Sequence, residues 1–154
     1  MRPEQEGDRV HKAAQEAIEE ARMVLPGIQA LFGFQLIAAF NNRFVELTPG
    51  EKVTHFVALL LVAVSIALIM TPAAYHRIVE PGTVSMSFVR LASRLIASAL
   101  LPLVLALAAE AYLVGRIIGI GSVPSGVVGG AVLLLCAGLW FGFPLAVRKR
   151  SPTE

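Results

Sequence analysis

Few side chains in this sequence can do chemistry, and those that can are set among apolar neighbours. Gln29 and Gln35 fall inside the run Val24–Phe44, and Asn41, Asn42 and Glu46 stand at its end. On a 3.6-residue repeat Gln35, Asn42 and Glu46 share one face, with Gln29 on a neighbouring one. Such a face can line a polar path opening at Asn41, Asn42 and Glu46. It can equally bond a second helix, through Thr54, Ser65 or the Ser98 carbonyl that Pro102 leaves without a donor. The bonded arrangement is favoured, because a glutamine facing a hydroxyl is a common link between packed membrane helices.

Glu110 is the only acid within an apolar run. A carboxyl held there is costly, so an ion or proton site is the default functional reading. Measured from Arg94, Glu110 lies roughly 24 Å along a helix crossing a core of roughly 30 Å. At that depth it can reach the surface or pair with Arg116 or Arg43, and structural pairing is the leading expectation. Ala92, Ala99 and Ala106 precede it at heptad spacing, which predicts that another helix covers its face.

The remaining chemistry is sparse. Arg77, Arg90 and Arg94 suit lipid headgroups at a helix end. His11, His55 and His76 are scattered, and His76 reads as a solvated histidine. Cys136 is the single cysteine, so no intramolecular disulfide or thiolate cluster is expected, and no metal or cofactor is implied. No phosphate-binding loop, zinc-binding HExxH or GxSxG nucleophile elbow occurs, which argues against an enzyme.

The elements that must position these groups are membrane helices. The chain is 56% hydrophobic and 16% charged, with a mean hydropathy of +0.71, against about 45–50% and about 25% in soluble domains. Four apolar runs are long enough to span a bilayer: residues 24–44, 53–73, 88–114 and 123–147. With both termini on one side, that side collects ten of the thirteen Lys and Arg, leaving Arg43, Lys52 and Arg116 opposite. The positive-inside rule then makes both termini cytoplasmic, and nucleic acid is not an implied partner. No cleaved leader is expected, because a polar stretch precedes the first run.

In chain order, residues 1–8 read as disordered, residues 9–23 as a short amphipathic helix lying against the bundle, and Pro26-Gly27 as a kink. Thr48 and Glu51 have capping-box spacing with Pro49 at the first helical position. Thr71-Pro72 predicts the end of span two, followed by a loop over residues 74–87 with a turn at Pro81-Gly82. Gly126, Gly130, Gly138 and Gly142 form an every-fourth-residue ridge in span four, a close-packing surface for a helix of this chain or of a second copy.

Three motifs in order carry a resemblance: LPGIQALFGFQL at Leu25–Leu36, FNNRF at Phe40–Phe44 and TPAAYHR at Thr71–Arg77. Over about residues 15–115 the chain resembles a family of small bacterial four-helix membrane proteins, domain of unknown function 6328. The resemblance implies a bacterial inner membrane location. Some members carry an automatic sodium:proton antiporter label, yet this chain lacks the paired intramembrane aspartates or broken-helix repeats of well-understood antiporters.

The expected fold is an all-α bundle of four transmembrane helices, one domain over residues 9–147, with a basic tail at 148–154. The expected partners are the lipid bilayer, a second copy of the chain, and another membrane protein. Two functions fit: a small channel or transporter for a cation or proton, and a non-catalytic scaffold or accessory subunit.

Overall fold

In the computed structural model, which describes residues 3–81 and 84–150, the chain is helical almost throughout. The order is α1 (Pro3–Ala39), a short 3-10 helix (Asn42–Glu46), α2 (Pro49–Val79), α3 (Met86–Ile117), α4 (Ser122–Ala137), a π-helical turn (Gly138–Gly142) and α5 (Phe143–Arg150). Four stretches, Arg9–Ala39, Pro49–Val79, Met86–Ile117 and Ser122–Lys149, are long and apolar enough to cross a membrane.

The centre is the α2–α3 pair, which forms the most extensive interface. On α2 the buried residues are Glu51, His55, Ala58, Val62, Ser65, Ile69 and Pro72. They alternate four- and three-residue steps, the narrow seam of a coiled-coil-like contact. Ala92, Ala99 and Ala106 supply the matching small surface on α3 and are all buried, as their heptad spacing predicts. Helix α1 lies across both, contributing Ile28 and Gln35 to the middle and Ala14 and Ala17 to a second cluster with Phe88 and Ala92. The N-terminal part of α1 therefore rests against the bundle, as expected.

Several boundaries differ from those read in the sequence. Residues 3–8, expected to be disordered, continue α1, while residues 1 and 2 lie outside the described part. Residues 9–23 are not a separate short helix but run on through the Pro26-Gly27 position, where a kink was expected, as part of α1; Pro26 sits on the exposed face, where the Arg22 carbonyl it leaves without a donor can be solvated. Helix α1 ends at Ala39 rather than Phe44, because Asn41 caps the 3-10 helix by accepting from the Arg43 amide at 2.9 Å.

Thr48 and Glu51 form the expected capping box of α2. Pro72 does not end that helix, which runs on to Val79 and carries Tyr75, His76 and Arg77 on its last turns. A proline inside a membrane helix is tolerated where neighbours cover the disturbed turn, and Pro72 is buried. His76, half-buried, lies against the ring of Phe88 at 5.3 Å rather than free in solvent. Of the expected Pro81-Gly82 turn, Gly82 is outside the described residues, as are residues 151–154 of the tail; Arg148 to Arg150 belong to α5.

Helix α4 packs chiefly on α3 and buries only Ser125 and Gly129. The chain reaches it through a tight turn in which Gly119 and Gly121 have φ of +85° and +88°, a region open to glycine. The contact uses a different glycine row from the one expected. A Cβ on Gly129 would lie 2.8 Å from the Ala108 carbonyl oxygen, whereas Gly126, Gly130 and Gly138 meet nothing within 4 Å and Gly142 only the Ala137 carbonyl of its own turn at 3.8 Å. The ridge of Gly126, Gly130, Gly138 and Gly142 thus points away from the rest of the chain. The π-helical turn sits just before Pro144, whose missing amide would otherwise break the regular ladder there.

Candidate functional site

Gln35, from α1, is almost wholly buried at 2% exposure, and it meets Glu110 of α3: Nε2 donates to the carboxylate Oε1 at 3.1 Å. The same Oε1 lies 3.1 Å from Nδ1 of His55 on α2. The other ring nitrogen, His55 Nε2, lies 3.1 Å from the backbone carbonyl of Gln35. Phe44 closes the arrangement edge-on to the imidazole, with ring centroids 5.0 Å apart. Three helices thus place one polar group each at a single point, with side-chain exposures of 7% for His55 and 14% for Glu110.

The hydrogen-bond inventory of this cluster sets its chemistry. A carbonyl oxygen only accepts, so His55 Nε2 must carry a proton. The 3.1 Å contact between Nδ1 and Glu110 Oε1 then holds one proton and two arrangements. Either the imidazole is protonated on both nitrogens and faces a carboxylate, or a neutral imidazole accepts from a carboxylic acid. Neither arrangement strands a charge, which is the condition for keeping ionisable groups in an apolar bundle. The side-chain oxygen of Gln35 is buried and meets no hydrogen-bond donor among the described residues.

About one helical turn nearer the α1–α2 connection lies a second cluster. Glu51 Oε1 accepts from the Tyr112 hydroxyl at 3.1 Å and from Arg116 Nε. Its Oε2 accepts from the Thr48 amide at 2.8 Å and the Thr48 hydroxyl at 2.9 Å. Both carboxylate oxygens are therefore fully used.

The residues singled out in the sequence divide sharply. Gln35 and Glu110 come together, but not with the partners expected. Glu110 does not pair with Arg116 or Arg43, because residues six apart on a helix do not face one another. Arg116 instead serves Glu51, and Arg43 Nη1 donates to the Ile117 carbonyl at 3.3 Å. Thr54 and Ser65 do not bond Gln35 either; Thr54 donates to the Gly50 carbonyl, and Ser65 donates to the Leu61 and Ala99 carbonyls, all at 3.0 Å. Ser65 thereby serves the carbonyl next to the one Pro102 leaves free.

Of the residues read as a possible polar path, Gln35 is buried while Gln29, Asn41, Asn42 and Glu46 lie apart from it. The chain leaves the helix at Ala39, so Asn41, Asn42 and Glu46 do not continue the Gln35 face, and these three and Gln29 are exposed. Arg77, Arg90 and Arg94 are exposed, as a headgroup role requires. His55 is the residue that sequence reasoning missed. Its signal was present, because it falls in step with the buried row of Glu51, Ala58, Val62 and Ser65 on α2.

Residues 3–144 match the profile of a family of unknown function, DUF6328. The chain belongs to that family. The match spans both polar clusters and all of α1, α2, α3 and α4, and so reaches well beyond the three motifs that first suggested it. The family description names no activity, and the antiporter label carried by some members gains no support from it. No curated protein and no solved structure matches the chain.

Proposed function

We propose that the protein is a small membrane channel or transporter for a proton or another cation, and that its ion-binding group is the Glu110–His55 pair. What supports this reading is a carboxyl and an imidazole 3.1 Å apart, brought together by separate helices inside an apolar bundle, a pair whose chemistry allows it to bind and release a proton. The charge bias of the ends supports a topology with both termini on the cytoplasmic face of a bacterial inner membrane and the pair nearer the opposite face.

Toward the end of the bundle that bears the termini, Ile28, Ala58, Val62, Ile69, Ala99, Leu103 and Ala106 pack into an apolar plug. A proton reaching the pair from the nearer side stops there until α1 shifts. Helix α1 suits that movement, because its bilayer-crossing part buries only Ile28 and Gln35. The reading assigns binding and release of a proton and no bond-making reaction.

Liposomes containing the purified protein and an internal pH dye test the proposal. The wild type should dissipate an imposed pH gradient faster than empty liposomes, and Glu110→Gln should return the rate to that of empty liposomes while the protein stays helical by circular dichroism. A wild-type rate in Glu110→Gln defeats the assignment.

A second reading, a scaffold or accessory subunit, is favoured by the open row of Gly126, Gly130 and Gly138 on α4. The same surface would serve association with a second copy of the chain. Purification from native membrane in mild detergent separates these: a foreign membrane protein retained by the wild type and lost in Gly130→Leu supports the scaffold, and retention unaffected by that substitution opposes it.

A further inference from the structure

The charge and shape of α1 and α2 point to a second site, far from the Glu110–His55 pair and independent of it. Between the two helices, toward the termini, lies a groove of about 170 Å³. Its floor is made by Ala17, Ile69, Pro72 and Ala92, all buried, and its walls by Ile18, Leu25 and Met70. The only charged residue lining it is Arg22. A hollow along α2 continues it, sharing Met70 and Ala73 and ending at Arg77.

Arg22 and Arg77 are both exposed, and neither enters an ion pair among the described residues. Of the nearby acids on α1, Glu19 shares with Arg22 a small hollow outside the groove without forming an ion pair among the described residues, and Glu20 lines a groove on the α3 side of α1. Two cations thus edge an apolar slot at the end of the bundle that bears the termini, Arg22 standing roughly 26 Å along α1 from its far end at Ala39, close to the thickness of a bilayer core. The slot is too small for a helix, whose diameter with side chains is about 10 Å.

We infer that this groove binds one acyl chain of an anionic phospholipid from the leaflet on the side of the termini, with its phosphate between Arg22 and Arg77. Guanidinium groups suit that role because each can give a phosphate two parallel hydrogen bonds. The anionic headgroup supplies the charge that the site lacks, and the chain fills the apolar floor.

Native mass spectrometry of the detergent-solubilised full chain tests the site, with phosphatidylglycerol and phosphatidylcholine of identical chains offered in equal amounts. The wild type should retain phosphatidylglycerol several-fold over phosphatidylcholine. The Arg22→Gln/Arg77→Gln double variant should retain the two equally, and Ala73→Trp, which fills the slot, should retain less of both. The Arg148→Gln/Lys149→Gln variant, which removes the same charge from outside the groove, should behave as the wild type. Equal retention by the wild type, or an equal loss of preference in the Arg148→Gln/Lys149→Gln variant, overturns the site. So does a lipid-free dimer as the main species, which would make a second copy the occupant.

Discussion

Glu51 and Glu110 are both acids at the α2–α3 interface, about one turn apart along the bundle, and they are handled in opposite ways. Glu51 is matched to Arg116, a cation that cannot lose its proton, and every lone-pair direction it offers inward is taken by Arg116, Tyr112 or Thr48. Glu110 is matched to His55, a base that can. Beside Glu51 every polar partner is fixed; beside Glu110 the amide of Gln35 and the imidazole share one carboxylate oxygen. The difference teaches that charge burial alone does not mark a candidate site. What distinguishes the proposed one is a partner able to exchange the proton.

The sharpest way to break this comparison is to neutralise one partner in each cluster. His55→Gln should lower proton flux in liposomes by about tenfold or more, the scale of losing a positioned acid–base group. Glu51→Gln should leave flux per folded molecule near the wild-type value and lower the unfolding temperature instead. If Glu51→Gln proves the more damaging to flux, the roles assigned to the two clusters are reversed.

A smaller effect sharpens the structural side. Thr48→Ala removes the hydroxyl that accepts from the Glu51 amide at 3.3 Å. It should cost about 1 kcal/mol of stability, the usual loss for an N-cap, read by thermal unfolding in detergent. Flux should be unchanged, because Thr48 touches only the fixed cluster.

Much of the fold was legible because membrane helices announce themselves by length and apolarity. The capping box at Thr48 and Glu51 was legible because its spacing is local. The alanine row of α3 was legible because its period is the period of the contact it makes. Helix ends were harder: Thr71-Pro72 looks like an end along the chain, and only the buried surroundings of Pro72 show that it is accommodated. The glycines of α4 offered two rows, Gly126 with Gly130 and Ser125 with Gly129, and only the position of α3 decides between them.

The site itself was half legible. Gln35 and Glu110 stood out as polar groups in apolar runs, but their contact joins positions 75 residues apart, which no local pattern encodes. His55 was hidden by being isolated in sequence. Its signal is its place in the buried row of α2, in step with Glu51, Ala58, Val62 and Ser65.

The most direct test of the exchangeable proton is infrared difference spectroscopy of the protein in lipid, stepped through pH. The account predicts a protonated-carboxyl band in the wild type that comes and goes together with an imidazole band, and that is absent in Glu110→Gln. A wild-type spectrum with no titrating carboxyl band, or the same band persisting in Glu110→Gln, would contradict it.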